Sequence, residues 1–301
     1  MTIRNEEITI KHISSFETHS VRKIVLRPNQ DDKSVIFEGD DLDDTVHFGL
    51  YVSEKLLSVA SIYKRLLKDN NSNGWQLRAM ATLPEHQGKG LGSRLLQACI
   101  DHVKESKGDY IWCNARKSAV NYYRKFGFEV ISDEFEIANI GPHYVMIFDI
   151  KEKSIVEILD RVIKDSQILS SITPLIEGAK NETVATVTKN VSLSLFKKKL
   201  PKQINLCRIF VLRANTASKV ERHINSFQRT VTILGSGDTK ILNNNVWVSN
   251  VRTADGKTIK DRWLSVPENT WHQPISKKED WVTVTFHTAR ESEIIDEYQE
   301  S

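Results

Sequence analysis

Apolar and polar residues alternate along Ile8–Ile13 with the period of two that sends successive side chains to opposite faces of a strand, and Ser15–Leu26 then changes to helical spacing. Residues 27–32, Arg-Pro-Asn-Gln-Asp-Asp, break both patterns and read as a loop. Val46–Val52 and residues 57–63 predict a hairpin around Ser53, Glu54 and Lys55, and residues 75–83 a further strand. That strand runs into a glycine-rich turn, Gln87-Gly88-Lys89-Gly90-Leu91-Gly92, and the turn into a helical run over residues 93–100. A buried strand over 109–115 follows, then a helix from Ala119 and strands over 128–131 and 144–150. The pattern changes at residue 151. Residues 151–202 read as a helical connector, with a helix over 154–169 and a polar stretch that closes on a lysine run before Pro201. Beyond residue 203 come short strands at even spacing, over 206–213, 229–234, 239–242, 246–251, 261–266 and 281–287, which predict a sandwich or barrel.

The 301 residues exceed the roughly 100–200 of an ordinary domain, so the pattern is read as two domains, residues 1–150 and 203–301, with the connector between them. A hydrophobic fraction of 40% gives each half enough apolar material for a core. The net charge of +3 argues against a nucleic-acid partner, and the lysine run at 197–202 reads as solvated. Cys99, Cys113 and Cys207 sit in apolar runs without metal-type spacing and read as reduced core residues. Residues 1–7 lack a hydrophobic signal region and no apolar run is long enough to span a bilayer, so neither a membrane nor export is expected and the default location is cytoplasmic.

A glycine turn between a strand and a helix makes an anion site. The glycines bend without a Cβ clash, and the first-turn N–H groups of the helix, unpaired within it, point into the turn, where a pyrophosphate fits. Gly90 and Leu91 after Lys89 rule out the Walker A ending, and no acidic second strand supports a dinucleotide fold. The order Gln-x-x-Gly-x-Gly resembles the acyl-CoA loop of the GNAT N-acetyltransferase family. Ala119-Val120-Asn121-Tyr122-Tyr123-Arg124-Lys125-Phe126-Gly127-Phe128 is similar to the family pattern A-x-x-F/Y-Y-x-K-x-G-F without a gap. The β-α-β-β-β-α-β-α-β-β order of residues 1–150 also agrees, although a second helix after the first cannot be read.

The resemblance implies an α+β mixed sheet and transfer of an acetyl group from acetyl-CoA to a primary amine of a small molecule or protein. It places the coenzyme on Met80, Ala81 and Thr82 of the strand, on Gln87, Gly88, Lys89, Gly90, Leu91 and Gly92 of the turn, and beside Asn114. It makes Tyr123 the general acid toward the leaving thiolate, a proton a phenol can supply. His143, Glu136 and an ordered water are the candidate bases. Gln76 and Arg78 share one strand face and can reach the acceptor. The acidic residues Asp40, Asp41, Asp43, Asp44, Glu134 and Glu136 suit a cationic amine or form solvated loops.

In the other half, Asn215, Glu221, His223, Gln228 and Gly235, followed by Asp261, Pro267, Asn269 and His272, keep the spacing of the two cupin motifs. Glu221 stands where the first histidine is usual, Gln228 where the glutamate is, and Asn215, Asp261 and Asn269 where glycines are. Resemblance implies an all-β cupin-like barrel whose inward residues Glu221, His223, Gln228 and His272 hold a divalent Fe, Mn, Ni or Zn ion. Without metal, these residues with Arg229 and Trp271 would form a small-ligand pocket, and His287 lies on a face the alternation leaves open. The barrel is therefore a ligand-binding domain or a second activity. The competing reading makes it the working part, a metal-dependent oxygenase or isomerase or a ligand sensor, with the first half binding acyl-CoA as a regulator. Both family resemblances imply a homodimer.

Overall fold

The computed structural model describes residues 7–68, 70, 72–243 and 245–299, and the chain divides into two compact units between Lys153 and Ser154. The first opens with β1 (Ile8–Ile13) and α1 (Ser15–Leu26). A capping box fixes the start of α1: Ser14 Oγ accepts the Glu17 N–H and the Glu17 carboxylate accepts the Ser14 N–H. β2 (Val46–Val52), β3 (Lys55–Tyr63) and β4 (Gly74–Thr82) lead to α2 (Leu91–Glu105), β5 (Tyr110–Arg116) and α3 (Val120–Lys125). β6 (Glu129–Val130), β7 (Phe135–Ile137) and β8 (Gly141–Asp149) complete an α+β unit. The sheet order is β1-β2-β3-β4-β5-β8-β6, with β7 also on β8; only β4 and β5 are parallel.

Alternation along β3 sends Val59 and Ser61 to one face, where Val21 of α1 packs, and Ala60 and Ile62 to the other, where Leu91, Leu95, Leu96 and Cys99 of α2 pack with Tyr123 of α3. Each fully buried leucine of that stripe contributes roughly 1.5–3 kcal/mol. After α1 there is a single 3-10 turn, Asp32–Val35, where a second helix could not be read.

α4 (Ile150–Ile163) crosses the division, and α5 (Ser166–Lys180) and β9 (Thr186–Asn190) follow. The long helix expected over 154–169 breaks instead at Asp165, whose carboxylate accepts the Gln167 and Ile168 N–H groups and starts α5. The connector expected over 151–202 is corrected for its larger part. Ile155, Leu159, Ile168, Ile172, Ile176 and Val187 are buried in the core of the second unit with Ile209, Val211, Val282, Val284 and Phe286.

β10 (Leu206–Leu212), β11 (Glu221–His223), β12 (Gln228–Leu234), β13 (Ser236–Asn243), β14 (Val246–Val248), β15 (Val251–Thr253), α6 (Ile259–Arg262), β16 (Trp263–Val266), β17 (His272–Ser276), β18 (Trp281–His287) and β19 (Asp296–Tyr298) form the rest. They make two antiparallel sheets, ordered β16-β12-β18-β10-β9 and β14-β13-β17-β11-β19 with β15 on β13. The closed cupin-like barrel is thus not observed. Among the described residues no ladder joins an edge of one sheet to an edge of the other, and closure requires one. Asp261, placed in a strand by the sequence, is in α6, where it forms a capping box with Thr258. The three cysteines are buried free thiols, and no described helix is long and apolar enough to cross a membrane.

Candidate active site

Gly74 decides where β4 and β5 meet. A Cβ there would lie 2.2 Å from the Tyr110 ring, so only glycine lets the strands close at this end. Their ladder pairs Gly74 with Tyr110, Trp75 with Ile111 and Gln76 with Trp112, then stops. The register of β4 on β3 shifts between Val59 and Ser61, and Ala79 adopts a φ of 52°, a bulge that turns the end of β4 aside. β5 continues to Arg116 paired with β8. The strands diverge, and the edge of β4 from Leu77 through Met80, Ala81 and Thr82 has no partner on β5.

At the end of β4 the Gln87 Nε2 donates to the Thr82 carbonyl at 2.9 Å and anchors the turn. Gly88 and Gly90 take φ values of 72° and 80°, and a Cβ on either would meet nothing within 4 Å, so the turn opens outward. Gly90 is the N-cap of α2, with no side-chain cap and no acidic residue in the first turn. Lys89 is exposed beside it. Leu91 is buried and serves the core, so only its backbone belongs to the cradle. A Cβ on Gly92 would come within 3.3 Å of Tyr122 Oη and 3.5 Å of Met80 Cε and Thr82 Oγ1, so the helix start, the free edge of β4 and the tyrosines of α3 meet there.

Tyr123 is buried, and its hydroxyl donates to Met80 Sδ at 3.8 Å. Burial, with Cys113, Tyr122 and Cys99 nearby, raises its phenol well above the usual range, so it stays protonated. Burial also pushes Tyr122 up to about 12, opposed by Ser93. Asn114 is exposed on β5 beyond the point of divergence. His143 is buried opposite Arg116, with Nδ1 donating to the Gly141 carbonyl at 2.7 Å, whereas Glu136 is exposed on β7. The structure therefore brings Met80, Thr82, Gly92 and Tyr123 to one spot, while His143 bonds the Gly141 carbonyl and Glu136 sits on β7 opposite Pro142 of β8.

A family model described as acetyltransferase (GNAT) domain matches residues 40–146, all within the first unit. The uncharacterized N-acetyltransferase YitI of Bacillus subtilis (strain 168) is 32% identical over 142 residues, 46% of this chain and 94% of the relative. The chain belongs to the GNAT acetyltransferase family. It is an acyltransferase. Solved structures similar to it include a putative N-acetyltransferase from Lactobacillus plantarum (16% identity, TM-score 0.40, 47% of this chain and 97% of that one). An aminoglycoside 6'-N-acetyltransferase complexed with coenzyme A is 12% identical, with a TM-score of 0.40, 47% of this chain and 96% of that one covered.

The GNAT unit also holds a buried network that sequence reasoning missed. Asp40, read as part of an acidic loop, is 5% exposed and accepts both Arg22 amino groups, at 2.6 and 3.1 Å, with the Tyr63 hydroxyl at 2.5 Å and the Phe37 N–H at 2.8 Å. Arg22 also donates to the Val35 carbonyl and Ser61 Oγ, and His47 bridges Ser61 Oγ and the Asp40 carbonyl. Burial raises the Asp40 carboxyl, but the donors from Arg22, Tyr63 and Phe37 outweigh it and hold the group below the usual carboxylate range. Gln76, expected to reach the acceptor, is 4% exposed with an unpartnered Oε1, because it lies where β4 is flanked on both sides.

In the second unit the two sheets enclose a cavity of about 340 Å³ lined by Glu221, His223, Gln228 and His272. β18 settles the face of His287: Val282, Val284 and Phe286 pack toward the helices, while Thr283, Thr285 and His287 line the cavity. Trp271 lies under Arg222 at 4.5 Å and Arg229 over Phe227 at 4.3 Å, so neither lines it. Ligand atoms of Glu221, His223 and His272 fall within 4.8 Å of one another. His223 Nδ1 meets Asp296 Oδ1 at 2.6 Å and His272 Nδ1 meets the Thr270 carbonyl at 3.0 Å, which leaves both Nε2 atoms buried and without a hydrogen bond, as is Gln228 Oε1, while His272 Nε2 lies 3.7 Å from Glu221 Oε1. Burial, with Asp296 adding, pushes Glu221 up to about 7, and burial holds His272 down to about 4.

Proposed function

We propose that this GNAT enzyme moves the acetyl group of acetyl-CoA to a primary amine by direct attack. The observation that carries the reading is the Tyr123 hydroxyl, buried and protonated, 3.8 Å from Met80 Sδ at the edge of β4 left free by β5. The pyrophosphate would sit on the turn of Gln87, Gly88, Lys89, Gly90 and Gly92 and the N–H of Leu91, and the thioester along Met80, Ala81 and Thr82, with Asn114 across the gap. The neutral amine attacks the thioester carbon, the C–N bond forms, and the C–S bond breaks as Tyr123 gives its proton to the departing sulfur. The amine proton leaves through water to His143 or Glu136. Backbone N–H groups of the free edge would face the developing oxyanion, and orientation supplies most of the acceleration.

Calorimetric titration of acetyl-CoA into the purified chain tests this. Binding is expected in the wild type and a loss of ten-fold or more in Gly90→Glu, which strains a φ of 80° and places a carboxylate at the helix start. Absence of binding in the wild type would overturn the reading.

A second reading concerns the other unit, where two buried Nε2 atoms that make no hydrogen bond converge with Glu221. We propose that Glu221, His223 and His272, with Gln228 completing the set, hold a divalent Fe, Mn, Ni or Zn ion. The Asp296 and Thr270 contacts orient the imidazoles as outer partners of metal-bound histidines do. Stoichiometric metal by elemental analysis and a raised Tm are expected on loading, both lost in the His223→Ala/His272→Ala double variant. A cavity that takes none of these ions would leave it to a small organic ligand.

A further inference from the structure

Three arginines from separate parts of the GNAT unit meet beside the gap. Arg27 follows α1, Arg78 lies on β4 two residues before Met80, and Arg116 ends β5. The Leu26 carbonyl accepts Arg27 Nη1 at 2.9 Å and Arg116 Nη2 at 3.5 Å. The Phe37 ring lies 5.5 Å from the Arg27 guanidinium and 5.1 Å from that of Arg78, which is also 5.0 Å from the Tyr63 ring. All three are partly exposed, Arg78 Nη1 donates to the Glu38 carbonyl at 3.2 Å, and among the described residues no carboxylate pairs with any of the three. Asp40, the nearby acid, is taken by Arg22, Tyr63 and Phe37, while Asp41, Asp43 and Asp44 are exposed on the loop.

Bringing guanidiniums together without an acid bonded to any of them costs free energy. Burial and its neighbours Arg116 and Arg78 hold Arg27 below its ordinary range, and burial does the same for Arg78, with Arg65 and Arg22 adding to it and Tyr63 and Asp40 opposing it. The location gives the cluster a use. Arg78 pairs across the sheet with Ser61, on the α1 face, whereas Met80 meets Tyr123 and α2 on the opposite face. A coenzyme on the α2 side and an acceptor entering from the α1 side would meet through the gap, and the acceptor would pass the arginines first.

We infer that the acceptor carries a carboxylate as well as its amine, and that Arg78 and Arg116, with Arg27 behind them, bind that carboxylate while the amine reaches into the gap between β4 and β5. The inference rests on the acetyl-transfer reading and reverses the cationic acceptor suggested by the acidic loop. Planar guanidinium forks match a carboxylate, whereas a polyamine would bring like charge to the same place.

The test compares phenylalanine with phenethylamine and lysine with 1,5-diaminopentane and spermidine as acceptors. The amino acids are expected to give a kcat/KM at least ten-fold above the amines. Arg78→Met and Arg116→Met should raise KM for the amino acid ten-fold or more with KM for acetyl-CoA within two-fold, and Arg78→Lys should recover only part. A preference for the amines, or equal loss on both acceptor classes, would overturn the inference. If no acceptor turns over, calorimetry with N-acetylphenylalanine in the presence of CoA reads the same site: binding weakened by Arg78→Met supports it and absence of binding sinks it. Absence of acetyl-CoA binding in a parallel titration would instead remove the acetyl-transfer reading beneath it.

Discussion

Tyr122 and Tyr123 are adjacent on one short helix, yet their hydroxyls have different neighbours, Tyr122 beside Gly92 and Tyr123 on the sulfur of Met80. If Tyr123 protonates the thiolate, Tyr123→Phe lowers kcat by about 10²-fold or more while acetyl-CoA affinity stays within two-fold. Steady-state kinetics beside calorimetry separates this from a packing defect, which would move both. Tyr123 was legible because the pattern from Ala119 to Phe128 fixes its place on the helix. Asn215 and Asn269 adopt φ values of 57° and 56°, as asparagine readily does, and the sequence reading did not anticipate this. Asp40 was misread because charge in a sequence does not reveal desolvation, and its partner Arg22 lies 18 positions away.

Asp40 ties α1, through Arg22, to β3, through Tyr63, and its own carbonyl meets His47 of β2. Its loss is therefore a fault between elements. Asp40→Asn leaves a buried guanidinium without its counter-charge and is expected to destabilise the protein by about 3–5 kcal/mol in denaturant unfolding. The pH dependence follows from the lowered carboxyl. Its contribution is complete above the ordinary aspartate range and is lost as pH falls through the depressed folded value, so the wild type loses stability on acidification below about pH 4 and Asp40→Asn shows a flatter acid limb. The bounds of β1 and α1 could be read from alternation and helical spacing, and the Ser14–Glu17 cap sits where that spacing begins. α5 was missed because its polar face and Pro174 dilute the apolar stripe that Ile168, Ile172 and Ile176 bury.

At the scale of the whole chain, the family match lies in the first unit, and the second is known by its two sheets and their cavity. β10, β12, β13, β14, β16 and β18 overlap the runs read from alternation, whereas β9, β11, β17 and β19 were not among those runs; the absence of closure was not legible either, since closure depends on which edges pair and no local pattern records that. The inward set Glu221, His223, Gln228 and His272 was found from spacing, while His287 needed the packing of β18 to fix its face. In the first unit, the three-residue ladder at Gly74, Trp75 and Gln76 acts as the joint of a pair of compasses: the angle between the arms is set at one end, before the stretch of β4 that holds Met80 and Thr82. A methyl group at Gly74 must push Tyr110 away, and with it the Leu67 N–H that its hydroxyl accepts at 2.9 Å. Gly74→Ala should thus look in an assay like a defect in acetyl-CoA affinity, measurable by calorimetry as a several-fold loss, although the altered residue is at the hinge and the effect is felt at the tips.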